Sequence, residues 1–173
     1  MDVVIWDFDT DAAGTAPQGF TAVEGRWAVE ADDEAPSAPN VVVGAGGGLV
    51  ADRPELVDFV AQVRCTPDCG LVFRFQDSEN YDVAWVNVAE RRVVVHQVIA
   101  GQRTQLASTP LYAWDLWWHT LEVQAHGREV LVSWDANPVL ATQDVLLTEG
   151  RVGLWSRRGE VRFDDLVMWP DPR

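Results

Sequence analysis

Short apolar stretches rich in β-branched and aromatic residues recur along the whole chain, separated by Gly, Pro, Asn and Asp, and this punctuation predicts strands joined by tight turns. Strands are expected near residues 2–8, 26–31, 40–44, 48–51, 56–65, 70–76, 81–88, 91–99, 103–108, 116–126, 129–135, 138–141, 150–156 and 160–169. No long helix is visible. Side chains in a strand point alternately to opposite faces, so the pattern also assigns sides. In GLVFRFQD, Leu71, Phe73 and Phe75 form the buried row, and Val72, Arg74 and Gln76 look the other way. In HTLEVQAH, Leu121, Val123 and Ala125 alternate with Thr120, Glu122 and Gln124. YDVAWVNV is apolar on both rows, Ala84, Val86 and Val88 against Tyr81, Val83, Trp85 and Asn87, which marks a central strand or one beneath a covered groove. So many strands at this spacing mean an all-β sandwich or barrel. The segment 32–39 and the run GAGGG at 44–48 read as surface turns.

Length and charge narrow the partners. The 173 residues suit one domain, 1–173, with a real core and no need of a disulfide scaffold. The apolar runs are too short for the roughly 20 residues of a membrane span, so a soluble protein is expected. Residues 1–20 lack the basic start and apolar core of a secretory signal, which leaves a cytoplasmic location or a trimmed leader as the expectation. The net charge of −14 arises from 27 acidic residues against 13 basic ones, every one an arginine. Such a chain repels phosphate and is a poor binder of nucleic acid or of anionic membrane surfaces, but it suits cations and neutral ligands. Cys65 and Cys69 flank Thr66-Pro67-Asp68 in a turn. Their spacing matches neither a zinc knuckle nor a redox motif, and a short disulfide and two free thiols stay equally open.

The successive segments GLVFRFQDSENYDVAWVNV, RRVVVHQVIAGQRTQLA, WHTLEVQAHGREVLVSWDANPVL and GRVGLWSRRGEVRFDDLVM, after the opening WDFDTDAAGTAPQGF, resemble the laminin-G-like, concanavalin A-like lectin/glucanase domains of bacteria. Among these is the domain known as 3-keto-disaccharide hydrolase or family 16 glycoside hydrolase-like. The resemblance covers nearly the full chain and implies a two-sheet antiparallel jelly-roll sandwich, whose first and last strands commonly pair. It implies little about use, because one such fold hosts lectins, glucanases and adhesion modules.

Two constellations carry candidate chemistry, and a third that a glycosidase would need is absent. Asp7, Asp9 and Asp11 come together with Asp164 and Asp165 if the ends pair, and a hard cation with oxygen ligands would relieve their repulsion. The spacing is not that of an EF-hand. The resemblance implies a structural calcium, with Asp164 matching the last-strand ligand and Asp7 and Asp9 the N-terminal side; solvated turn acids are the alternative. The second constellation is the nine tryptophans. Trp27, Trp134, Trp155 and Trp169 fit the core, whereas Trp85 and the cluster Trp114, Trp117 and Trp118 are candidates for stacking on sugar rings. The polar row of Arg74, Gln76, Asn87, His96, Glu122 and Gln124 would line a concave groove and hydrogen-bond sugar hydroxyls, unless it is a plain solvated sheet face.

The third constellation is missing. A retaining glycosidase needs two carboxyl groups about 5–5.5 Å apart, and no strand here offers paired acids on one face; Glu122 stands alone. His96, His119 and His126 lack zinc-hydrolase spacing, and no nucleophile elbow or phosphate-binding loop occurs. The expectation is therefore a non-catalytic binding domain for carbohydrate or glycan-like ligands. The alternatives are a sugar hydrolase, implied by the resemblance, and a structural or assembly domain that meets other proteins.

Overall fold

The structure, a computed structural model, describes residues 2–112 and 115–170. Thirteen strands follow one another as β1 (Val4–Trp6), β2 (Phe20–Ala22), β3 (Arg26–Ala31), β4 (Asn40–Ala51), β5 (Phe59–Cys65), β6 (Cys69–Asp77), β7 (Asn80–Asn87), β8 (Arg92–Ile99), β9 (Gln102–Pro110), β10 (His119–His126), β11 (Glu129–Trp134), β12 (Asn137–Gln143) and β13 (Arg151–Pro170). Among the described residues there is no helix, hence none long and apolar enough to cross a membrane.

All pairings are antiparallel, in the order β12-β11-β10-β5-β13-β6-β7-β8-β9, with β4 on β13, β2 and β3 on β4, and β1 on β13. The long β13 joins the two layers. Its first part lies between β4 and β6, with Trp155 opposite both Gly48 and Gly70. Its last part runs beside β5, with Trp169 opposite Val60. The chain ends do pair: Ile5 stands opposite Val167 and Trp6 opposite Leu166. Between the layers lies the main core, where Phe59, Val63, Leu121, Val123 and Val132 from one side meet Leu71, Phe73, Ala84, Val95 and Leu154 from the other.

Two sequence expectations are corrected here. The glycine run 44–48 is not a turn but the middle of β4, and the segments expected at 40–44 and 48–51 are one strand. Packing explains the glycines: Trp27 lies against Gly44, where an added Cβ would fall 2.2 Å from the indole. The second correction concerns β6. Its pairing with β7 is irregular between Phe73 and Asp77, and Arg74 takes φ 48°, so the alternation changes phase. Phe75 therefore leaves the main core and joins Val72 on the other face, and Arg74 turns inward.

Arg74 is wholly buried and cannot serve as the ligand contact that alternation suggested. Its guanidinium donates to the carbonyls of Leu147 (3.0 Å) and Gly127 and stands 3.7 Å from the carboxylate of Asp144, also buried. Gln97 ties the network together, its Nε2 donating to Asp82 Oδ1 at 2.9 Å and to Asp144 Oδ1 at 2.7 Å. Asp82 Oδ2 has no other hydrogen-bond partner and Asp144 Oδ2 has only the Arg74 guanidinium facing it, and a single proton shared between the two carboxyls would satisfy both. Burial, followed by the hydrogen bond and charge of Asp144, pushes Asp82 up to about 9. Burial acts in the same sense on Asp144, but hydrogen bonds from Asp82, Gln97 and the N–H groups of Leu146 and Leu147 outweigh it and hold that carboxyl below its usual value. Neutral Asp82 thus donates to an ionised Asp144, which faces Arg74.

The pH dependence follows. From about 4 to about 9 the unfolded chain releases the Asp82 proton and the folded chain keeps it, so this residue costs stability as pH rises. Asp82→Asn reproduces the donor and acceptor of the protonated acid. In urea melts across this range, the variant should gain on the wild type steadily as pH rises toward 9; a difference that does not change with pH would refute the shared proton.

Candidate functional site

Five adjoining strands, β4, β13, β6, β7 and β8, bring a second apolar cluster to the face of their layer that points away from the main core: Val50, Val72, Phe75, Val83, Trp85, Val94 and Trp155, with Tyr81 against it. Its centre is one cross-strand row. Trp155 on β13, Gly70 on β6, Trp85 on β7 and Val94 on β8 are consecutive register partners. Gly70 sits under both indoles, where a Cβ would fall 2.9 Å from the Trp85 Cβ and 3.0 Å from the Trp155 ring. With no side chain between them, the two rings close to 5.1 Å between centroids. The next row brings Val72, Val83, His96 and Gln105 alongside.

His96 is held by this cluster. The Trp85 indole N–H donates to His96 Nδ1 at 3.1 Å, and the imidazole meets Trp155 edge to face at 5.4 Å. Burial, and secondarily the charge of Arg103, pull His96 down to about 3, so the ring is neutral at ordinary pH. With Nδ1 accepting, the proton resides on Nε2, which is buried and has no acceptor.

Arginines close the face. Arg103 stacks over Trp155 with its guanidinium carbon 5.9 Å from the ring centre, Arg157 over Trp85 at 5.5 Å and Arg151 over Phe75 at 5.2 Å. The two tryptophans are consequently only 7% and 5% exposed. Two clefts meet at Arg103 and Arg157. The larger, about 330 Å³, runs over Gly46, Gly48, Val72, Phe75 and Tyr81 to Trp155. The smaller, about 190 Å³, holds Trp85, Asn87, His96 and Gln105. Glu24 lines the first and Glu90 the second, so the two carboxylates do not share a cleft.

Of the residues singled out from sequence, Trp85, Asn87 and His96 come together here. Gln76 is exposed at the end of β6, its amide 3.4 Å from the Glu149 carbonyl. Glu122 and Gln124 lie on β10, whose alternate residues Leu121 and Val123 fill the main core, so they belong to the opposite outer surface and share no groove with Trp85. Burial raises the Glu122 carboxyl above its ordinary value. Trp117 is 56% exposed in a separate cleft with Asp32, Thr66, Trp118 and Arg162. Trp114 lies outside the described residues. Trp155, assigned to the core by alternation, and the arginines above the cluster are what the sequence reading missed; only the register of β13 against β6 reveals them.

The acids at the chain ends gather around Ser37. Its N–H donates to Asp164 Oδ2 at 2.8 Å and its hydroxyl to Asp9 Oδ2 at 3.2 Å; Asn40 N–H donates to Asp9 Oδ1 at 3.1 Å, and Asp7 Oδ1 accepts from Asp9 N–H. Burial, opposed by the Ser37 N–H and reinforced by the charges of Asp165 and Asp9, raises buried Asp164 to about 7. Among the described residues no group of three or more His, Cys, Asp or Glu side chains converges as a ready metal cage. Cys65 and Cys69 are joined as a disulfide across the β5–β6 turn.

This sandwich, with a face of aromatic residues and polar clefts, is a concanavalin A-like jelly roll. It is similar to the carbohydrate-binding module CBM66 from Bacillus subtilis, with a TM-score of 0.73 and 19% identity over 86% of this chain and 93% of that one. It is also similar to a native glycosidic hydrolase (TM-score 0.54, 12% identity, 98% and 90% of the two chains) and to a galectin from Caenorhabditis elegans (0.53, 10%, 66% and 84%). No family model and no curated protein matches the sequence. The resemblance read from segment order holds at the level of the fold.

Proposed function

We propose that the protein binds carbohydrate, without catalysis, in the two joined clefts over Trp85 and Trp155. The observation that carries this reading is the convergence of an indole pair, an unsatisfied imidazole N–H and the amides of Asn87 and Gln105 on one recess of ligand-accepting size. Apolar C–H faces of a sugar suit the partly exposed Tyr81 ring on the wall of the larger cleft, and its hydroxyls suit the amides and imidazole. The fold shared with a carbohydrate-binding module and a galectin supports the same class of ligand. A hydrolase is the less favoured reading, since each cleft has one glutamate where the two-carboxylate mechanism needs a facing pair. An assembly role would fall to the exposed Leu116 and Trp117.

Calorimetric titration against a panel of soluble polysaccharides tests this. Binding should weaken about tenfold, the equivalent of one lost hydrogen bond, in Gln105→Ala, an exposed position, with an unchanged melting temperature, and should persist in Trp117→Ala. Binding lost only in Trp117→Ala would move the site, and release of new reducing ends would support the hydrolase.

We also propose a structural calcium ion at Asp9 and Asp164, with Asp7 beside them. A buried carboxylate drawn close to other acids supports it. Because calcium takes six to eight oxygens, backbone carbonyls and water would complete the shell around so few carboxylates. Calcium in excess over chelator should raise the melting temperature by several degrees, and Asp164→Asn should abolish the rise. Equal melting temperatures in calcium and in chelator would dismiss the ion.

A further inference from the structure

The arginines over the aromatic face point to the charge of the ligand. In a chain of net charge −14, Arg103 and Arg157 stand together at the junction of the two clefts, and both clefts are lined by both of them. Each is exposed, and each is laid on an indole that restricts its long side chain before any ligand arrives. Neither makes an ion pair with a carboxylate among the described residues, whereas Arg74 and Arg162, which do, lie outside the clefts. Each cleft holds both arginines and a single glutamate, Glu24 in one and Glu90 in the other, so over the joined clefts two guanidinium groups and two carboxylates cancel in number, and the arginines remain free of ion pairs with either. Directly behind, the orphaned Nε2–H of His96, a residue only 3% exposed, is a further donor without an acceptor.

A planar guanidinium with free N–H groups matches a carboxylate with two parallel hydrogen bonds, and stacking on an indole leaves its edge available for that purpose. A neutral sugar gives such a pair of arginines no charge to meet. We propose that the clefts select an oligosaccharide bearing carboxylate groups, a uronate-containing glycan, with Arg103 and Arg157 as its carboxylate contacts. This rests on the carbohydrate reading above and narrows it to an acidic ligand. The net charge of −14 opposes non-specific association with polyanions, so an acidic ligand has to be held by particular contacts such as these arginines.

The test compares oligogalacturonate, alginate and hyaluronan oligosaccharides with their carboxyl-reduced, neutral counterparts in calorimetry. At least one acidic oligosaccharide should bind, and reduction of its carboxyl groups should weaken it tenfold or more. Arg103→Gln and Arg157→Gln should each cost about tenfold for the acidic ligand. Arg103→Lys, which keeps charge but loses the planar fork, should recover only part of it. Melting temperatures of the three exposed-site variants show whether each remains folded. Neutral glycans that bind as well as their acidic parents, or affinity indifferent to both glutamine variants, would overturn the acidic selectivity and leave carbohydrate binding standing. No binding by any saccharide, acidic or neutral, would overturn both.

Discussion

A strand that is apolar on both faces needs something over its second face. In β6, β7 and β13 the inner residues fill the space between the sheets, and the outer ones form a second cluster around Trp85 and Trp155. Gly70 permits that cluster, because it alone lets two indoles from strands on either side of β6 meet. Once they do, the imidazole of His96 is held from one side by an indole N–H, and three arginines find aromatic rings to lie on. The cleft geometry is downstream of that single missing side chain.

The other structural commitment is the phase change in β6. By turning Arg74 into the interior, the irregularity after Phe73 places a charge where solvent cannot reach it. A buried charge is tolerable only when paired and hydrogen-bonded, and the Asp82–Asp144–Gln97 network provides this. The same phase change sends Phe75 to the outer face, where it extends the aromatic floor toward Tyr81 at 5.8 Å. Interior electrostatics and the shape of the larger cleft thus share one backbone feature.

Much of the architecture is legible in the amino-acid order. Alternation places Leu71, Phe73, Leu121 and Val123 in the core, and the aromatic ends pair as expected. The two apolar rows of β7 mark it as a central strand or one beneath a covered groove; it lies between β6 and β8, with Trp85 in a cleft. What escapes the sequence is what depends on partners distant along the chain. Nothing near Arg74 announces a change of phase, so it reads as an outward ligand contact. Trp155 obeys the alternation of a core residue, yet its register against Gly70 puts it in the site. Glu122 and Gln124 alternate as well as His96 does, and only the assignment of strands to layers separates them. The glycines of β4 look like a turn because the sequence does not show the tryptophan that lies on Gly44.

Ligand contact at the Trp85–Trp155 cluster is the decisive observable. Two-dimensional ¹⁵N NMR of the indole N–H groups, followed as a binding saccharide is added, reads this directly because the described tryptophans fall in separate places: the Trp85–Trp155 cluster, the main core, and the cleft of Trp117. The indoles of Trp85 and Trp155 should shift together and saturably, and those of Trp27 and Trp134 in the core and Trp117 in the separate cleft should stay in place. Saturable shifts at Trp117 with Trp85 and Trp155 unmoved would contradict it.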